Sequence, residues 1–108
     1  MVGASRFDVV LVQLDPTRGS EIRKTRPCVV ITPDEMNLAL RTMVVAPMTT
    51  QGHAYPWRVP VRFAGKNGRV ALDQIRAVDR ERVLSILGHL DAPTGQNVLD
   101  SLSEMFAP

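Results

Sequence analysis

Cysteine is nearly absent from this chain, and the one present, Cys28, excludes an intrachain disulfide. A reducing compartment is the expectation that follows. No stretch approaches the ~20 continuous apolar residues that a membrane-spanning helix needs. The opening MVGASRFDVVLVQL has no long apolar run behind its arginine, so no signal peptide is expected. The two histidines, His53 and His89, lie far apart and near no cysteine or acid cluster, which leaves no recognisable metal site. The sequence GSEIRK at 19–24 lacks the GK[ST] ending of a phosphate-binding glycine loop. Internal repeats and domain linkers are missing as well, so the 108 residues are expected to form one domain over 1–108.

Charge is present, and it is divided unevenly. The net charge is only +2, but residues 18–69 hold nine Lys/Arg against three Asp/Glu, and the remainder four against eight. Such asymmetry within one domain favours a polyanionic partner for the basic part; the plainer alternative is a solvated face with no partner.

Short runs rich in Val and Ile, each bounded by turn chemistry, predict strands at 7–14, 26–32, 42–48 and 57–63. Pro27 and Pro60 belong at a strand start or on an edge. After a turn at Lys66-Asn67-Gly68, residues 69–78 read as a strand bent near Asp73. Asp79 is placed to cap a short helical turn, and 85–90 returns to strand character. The apolar positions Val98, Leu99, Leu102, Met105 and Phe106 then follow a helical period, with Pro93 in the first turn and Gly95 weakening the start. The whole is mainly β, a small, strongly curved barrel with a C-terminal helix packed on it.

Two connections are long and polar, 15–25 and 49–56, and long loops on a compact barrel tend to carry function. Cys28, inside an apolar strand, reads as an inert buried thiol. What remains at strand ends and in these loops is Glu21, Arg26, Thr49, Thr50, Gln51, Asp73 and Gln74. An arginine held by a following proline at a strand's first residue can aim its guanidinium fork at a phosphate, and a hydroxyl on a neighbouring strand end can donate to another phosphate oxygen. On composition alone, Arg26 reads first as one half of a surface ion pair with Glu21.

Four ordered segments sharpen this: LDPTRGSE at 14–21, TRPCVVI at 25–31, VVAPMTTQ at 44–51 and ALDQIR at 71–76. In this order and spacing the chain resembles the MazF/PemK family of toxin ribonucleases. Two positions depart from that pattern. Phe7 stands where the family often has glycine, and Ala71 stands where PemK-like members carry an arginine two residues before the acid of the D-Q motif. The resemblance implies an SH3-like, CcdB/PemK-type barrel that forms a homodimer. It also implies cytoplasmic endoribonuclease activity on single-stranded RNA at short sequences, and a cognate antitoxin whose acidic, partly disordered tail covers the RNA groove. The family's catalytic arginine falls on Arg26, its threonine on Thr49, its loop glutamate on Glu21 and the acid of the D-Q motif on Asp73.

RNA carries its own nucleophile, the 2′-OH, so cleavage needs no metal or cofactor. The protein must align that oxygen with the leaving group, stabilise extra negative charge on phosphorus and move two protons. Arg26 suits charge stabilisation and Thr49 a hydrogen bond to a non-bridging oxygen. Glu21 is the candidate base, with Asp73 competing for the role. Ser20, Lys24, Thr50, Gln51, Asp73 and Gln74 are candidates to bind substrate; Arg58, Arg62, Lys66 and Arg69 could follow its backbone. Tyr55 and Trp57 are candidates to stack on bases, Trp57 being read first as core or dimer packing. Two other functions fit such a barrel: a CcdB-like gyrase poison and a non-catalytic RNA-binding module. The poison acts through a Trp-Gly-Ile-type C-terminus, against which the ending Met105-Phe106-Ala107-Pro108 argues.

Overall fold

A computed structural model describes residues 3–108. Seven strands, all paired antiparallel, run β1 (Asp8–Gln13), β2 (Thr25–Val30), β3 (Thr42–Thr49), β4 (Arg58–Phe63), β5 (Lys66–Ala71), β6 (Arg76–Asp79) and β7 (Val83–His89). Two α-helices, α1 (Asp34–Ala39) and α2 (Ala92–Phe106), complete the fold. The sheet follows the order β4-β5-β3-β2-β1-β7, and β6 joins the far end of β3. β3 is the hinge of the architecture. Its first half pairs with β6, and its last two residues, Met48 and Thr49, pair with β5. The chain turns this corner through a short 3-10 turn at Leu72–Gln74. The sheet therefore curls into a half-barrel, as the strand-rich sequence predicts.

Because β1, β2 and β3 are covered on both sides, their side chains alternate between two cores rather than between core and water. Val10, Val12, Cys28, Val30 and Val45 enter one core with Val78 and Val83. Val9, Val29 and Ala46 enter the other with Val59, Val61, Val70 and Val98, beneath α2. Burial on both faces is why these strands read as continuous Val/Ile runs.

Several elements differ from the sequence expectation. The span 69–78 is two strands split by the 3-10 turn, not one bent strand. The turn expected at 66–68 lies at Ala64-Gly65, where both residues have positive φ (51° and 77°), as a two-residue hairpin turn demands; Lys66, Asn67 and Gly68 belong to β5. Helix α1 was not foreseen, because six residues give too little periodicity to read. It is held by tertiary contacts: Asn37 is buried, its Nδ2 donating to the Thr32 carbonyl (2.9 Å), while the Thr32 hydroxyl donates to Asn37 Oδ1 (2.6 Å). Asp79 caps its short turn by accepting from Glu81 N–H (2.9 Å), as expected.

The two unusual residues at the start of β1 and α2 explain each other. Phe7 has φ +70°, a left-handed conformation rarely adopted by bulky residues. Its ring lies against Gly95, where an added Cβ would come within 2.7 Å of the ring. Gly95, poor for helix propensity, makes room for the ring in the first turn of α2. Asp91 caps that helix, its Oδ1 accepting from Thr94 N–H (2.8 Å).

Candidate functional site

The β2–β3 register pairs Cys28 with Pro47, Val29 with Ala46 and Val30 with Val45. Carried to the strand ends, the same register sets Arg26 across from Thr49. Both residues line one open cleft of about 390 Å³, with Thr50 and Lys66 beside them and Pro27, Met48, Phe63 and Leu87 forming an apolar floor. Two cationic side chains and two hydroxyls face this space, and no carboxylate lines it. That is the composition an anionic, partly apolar ligand such as a nucleotide phosphate with its base would match.

Arg26 is half-buried, and its Nε donates to the Arg23 carbonyl (3.1 Å). Among the described residues it forms no ion pair; the salt bridge to Glu21 considered from sequence is not made. The Thr49 hydroxyl accepts from the Gln51 N–H (3.1 Å), which orients it at the strand's end. Gly68 of β5 passes so close that a Cβ there would stand 3.0 Å from the Thr49 carbonyl oxygen. The absence of a side chain at 68 is thus a condition for the close approach of β5 to Thr49.

The other residues singled out from sequence are placed elsewhere. Glu21 closes on its own loop, its Oε1 accepting from Arg18 N–H (2.5 Å). Ser20, Lys24 and Gln51 are exposed and do not line the cleft. Gln74 latches the long loop to the barrel, its Oε1 accepting from Ile22 N–H (3.2 Å) while Ile22 packs on the core. Asp73 faces a separate hollow with Trp57 and α2, and Arg58 grips it through Nε to Oδ1 (2.5 Å) and Nη2 to Oδ2 (2.8 Å). That bidentate hydrogen bond lowers the Asp73 pKa from its ordinary value and raises that of Arg58. A carboxyl so held is a weak base. Trp57 is 38% exposed, neither in the core nor enclosed, and stacks on Tyr55 at 4.9 Å between ring centroids, with the planes 8° apart. Burial pushes the Cys28 thiol up to about 12, against the pull of Arg76 and Arg26, which fits the inert thiol expected.

Sequence reasoning placed Lys66 among possible backbone contacts but missed Asn67, Phe63 and Leu87 as cleft walls. The last two come from strands remote in sequence, and their position depends on how far the sheet curls. Among the described residues no group of three His, Cys, Asp or Glu side chains is arranged to hold a metal ion, and no helix is long and apolar enough to cross a membrane.

Comparison with known proteins bears on the fold and the family of the chain. The endoribonuclease toxin MazF of Escherichia coli K12 is 34% identical over 71 residues, 66% of this chain; the matched chain spans 64% of that protein's length. The crystal structure of MazF from Deinococcus radiodurans superposes with a TM-score of 0.86 at 25% identity, covering 97% of both chains. A mycobacterial endoribonuclease solved with its cognate antitoxin gives 0.82 at 18% identity, again over 97% of each, and so shares the fold. Residues 5–106 match the PemK-like, MazF-like toxins of type II toxin–antitoxin systems, and the chain belongs to that family.

Proposed function

We propose that the protein is a sequence-specific endoribonuclease toxin that cuts single-stranded RNA, mRNA included, at the Arg26–Thr49 cleft. The observation that carries this reading is the meeting of a guanidinium and a hydroxyl, from the ends of adjacent strands, over one basic cleft free of carboxylates. The 2′-oxygen loses its proton and attacks the neighbouring phosphorus, the bond from phosphorus to the 5′-oxygen breaks as that oxygen takes a proton from water, and the ends are a 2′,3′-cyclic phosphate and a 5′-OH. Arg26 stabilises the charge that develops on the non-bridging oxygens, and Thr49 donates to one of them. The nucleophile belongs to the substrate, so the chemistry calls for no metal and no cofactor.

Glu21 is assigned as the base that takes the 2′-OH proton. To reach the cleft its loop must release the Arg18 N–H, so substrate binding and loop movement are coupled in this reading. Asp73 is set aside because Arg58 occupies both its oxygens. Ser20, Lys24, Thr50 and Gln51 contact flanking nucleotides. A cognate antitoxin with an acidic tail neutralises the toxin by covering the same basic cleft; support comes from the structural neighbour solved with its antitoxin and from the excess of cations over residues 18–69. The toxin acts as a homodimer in the cytoplasm. The edge strand β7 supports pairing, since Leu84, Ile86 and Leu87 all stand exposed on it.

The test is incubation of purified protein with single-stranded RNA in EDTA, followed by identification of the new ends. Cleavage with 5′-OH ends is expected, with Arg26→Ala and Thr49→Ala each losing on the order of 10²–10³ in rate while remaining folded. Full activity in both folded variants refutes the site. Glu21→Gln should lower the rate on the order of 10²–10⁴, the contribution usual for a general base. Binding without cutting would instead identify a non-catalytic module.

A further inference from the structure

The cleft does not end at Thr50. A second hollow of about 540 Å³ adjoins it, and Thr50, Asn67 and Gly68 line both. The far side of this hollow carries Arg62 and Arg69 from the β4–β5 hairpin. Strand register explains their placement. Arg62 lies opposite Asn67 and Pro60 opposite Arg69, so these four side chains share the outer face of the hairpin, whose inner face buries Val59, Val61 and Val70. Arg69 is also the cross-strand partner of Thr49. With the β2–β3 register carried to Arg26, the backbones of Arg26, Thr49 and Arg69 lie in one row across three neighbouring strands, the outer two Cα positions about 10 Å apart at two strand spacings.

Among the described residues, neither arginine of the hairpin is neutralised by a carboxylate. Among the described residues Arg69 makes no ion pair, and Arg62 donates only to the neutral Asn67 Oδ1 (3.1 Å), which steadies its guanidinium. The one carboxylate in the hollow, Asp91, is turned to the N-terminus of α2, where it accepts from Thr94 N–H (2.8 Å). The passage between the hollows runs over Gly68. A Cβ there would meet Thr49 O at 3.0 Å and Thr50 Cγ2 at 3.9 Å, so its absence keeps the saddle low.

We infer that Arg62, Arg69 and Asn67 form a second anion subsite, which holds a phosphodiester flanking the scissile one on the same RNA strand. The strand lies across the Gly68 saddle from the cleft to the hairpin face. This inference rests on the ribonuclease reading for its substrate, and its test separates the two.

The double variant Arg62→Ala/Arg69→Ala is compared with wild type on a long single-stranded RNA and on the shortest oligoribonucleotide that wild type cuts. The loss in kcat/KM should be about tenfold larger on the long RNA and should fall on KM. Losing the contact to one phosphate should make the plot of log binding constant against log salt shallower by about 0.7. Arg62→Lys/Arg69→Lys, which keeps the charges, should restore the slope. Equal losses at both lengths, or an unchanged salt slope, overturn the subsite. Binding of a fluorescein-labelled, twelve-residue 2′-O-methyl RNA, which cannot be cut, supplies the same slope without catalysis. Should wild type leave RNA intact, the ribonuclease reading falls, and this binding comparison still decides whether Arg62 and Arg69 hold phosphates.

Discussion

Ala71 stands two residues ahead of the acid of the D-Q motif, where the resemblance drawn from sequence leads one to expect an arginine. The register of the hairpin shows what takes over: Arg58 lies directly across from Ala71 and its guanidinium reaches Asp73 from the neighbouring strand. A guanidinium thus sits on this acid through strand pairing rather than through proximity in sequence. The pair has a consequence for stability. Arg58 lowers the Asp73 pKa from its ordinary value of 3.8, so the pair's contribution is complete above that value and disappears as pH falls through the depressed folded pKa. Asp73→Asn should therefore destabilise the protein at pH 7, by about 1 kcal/mol at most for a partly exposed pair, and lower its melting temperature accordingly. The gap to wild type should close in strong acid, as followed by thermal melts from pH 7 to pH 2. A gap that stays constant over this range would assign the loss to packing rather than charge.

Among the elements, the junction of β1 and α2 shows local preference yielding to packing. Glycine in the first turns of a helix costs about 1 kcal/mol against alanine, and phenylalanine at φ +70° is strained. Both are accepted because the Phe7 ring fills the space that Gly95 leaves and reaches the core shared with Val98. Gly95→Ala, a stabilising change on propensity alone, should therefore destabilise, because overpacking of this kind costs typically ~1–3 kcal/mol. For a domain of this size each net kcal/mol is worth about 4–8 °C in Tm. In a Phe7→Gly background the same substitution should cost nothing, and a double-mutant cycle of melting temperatures measures the coupling. A rise in Tm for Gly95→Ala alone would show that the ring moves aside freely.

For the molecule as a whole, the two features that matter are the basic cleft with its hairpin face and the apolar edge of β7. An edge strand with free backbone groups and exposed Leu84, Ile86 and Leu87 invites pairing, and the simplest closed solution is a two-fold dimer. Leu87 also lines the Arg26–Thr49 cleft, so pairing through β7 brings the partner to the cleft's rim. If β7 is the pairing edge proposed above, wild type should sediment as a dimer and Ile86→Lys, at the same concentration, as a folded monomer. Unchanged dimer mass would move the interface to another face.

Much of this architecture was legible because its causes are local. Strand positions follow from Val/Ile runs that are buried on both faces, and α2 from a helical period that begins after Asp91. The arginine–threonine pair was legible too, through motifs whose order and spacing are retained. Other features depend on contacts between residues far apart in the chain: α1, held through Asn37 and Thr32; the break at 72–74, where β3 changes partners; and the capture of Asp73 by Arg58. The loop that carries Glu21 belongs with these, because its attachment through Gln74 joins positions 52 residues apart. Periodicity and propensity report on neighbours along the chain, and they establish which segments become strands and helices. Which charges face each other across a curled sheet is decided by register and curvature, and those exist only once the strands have paired.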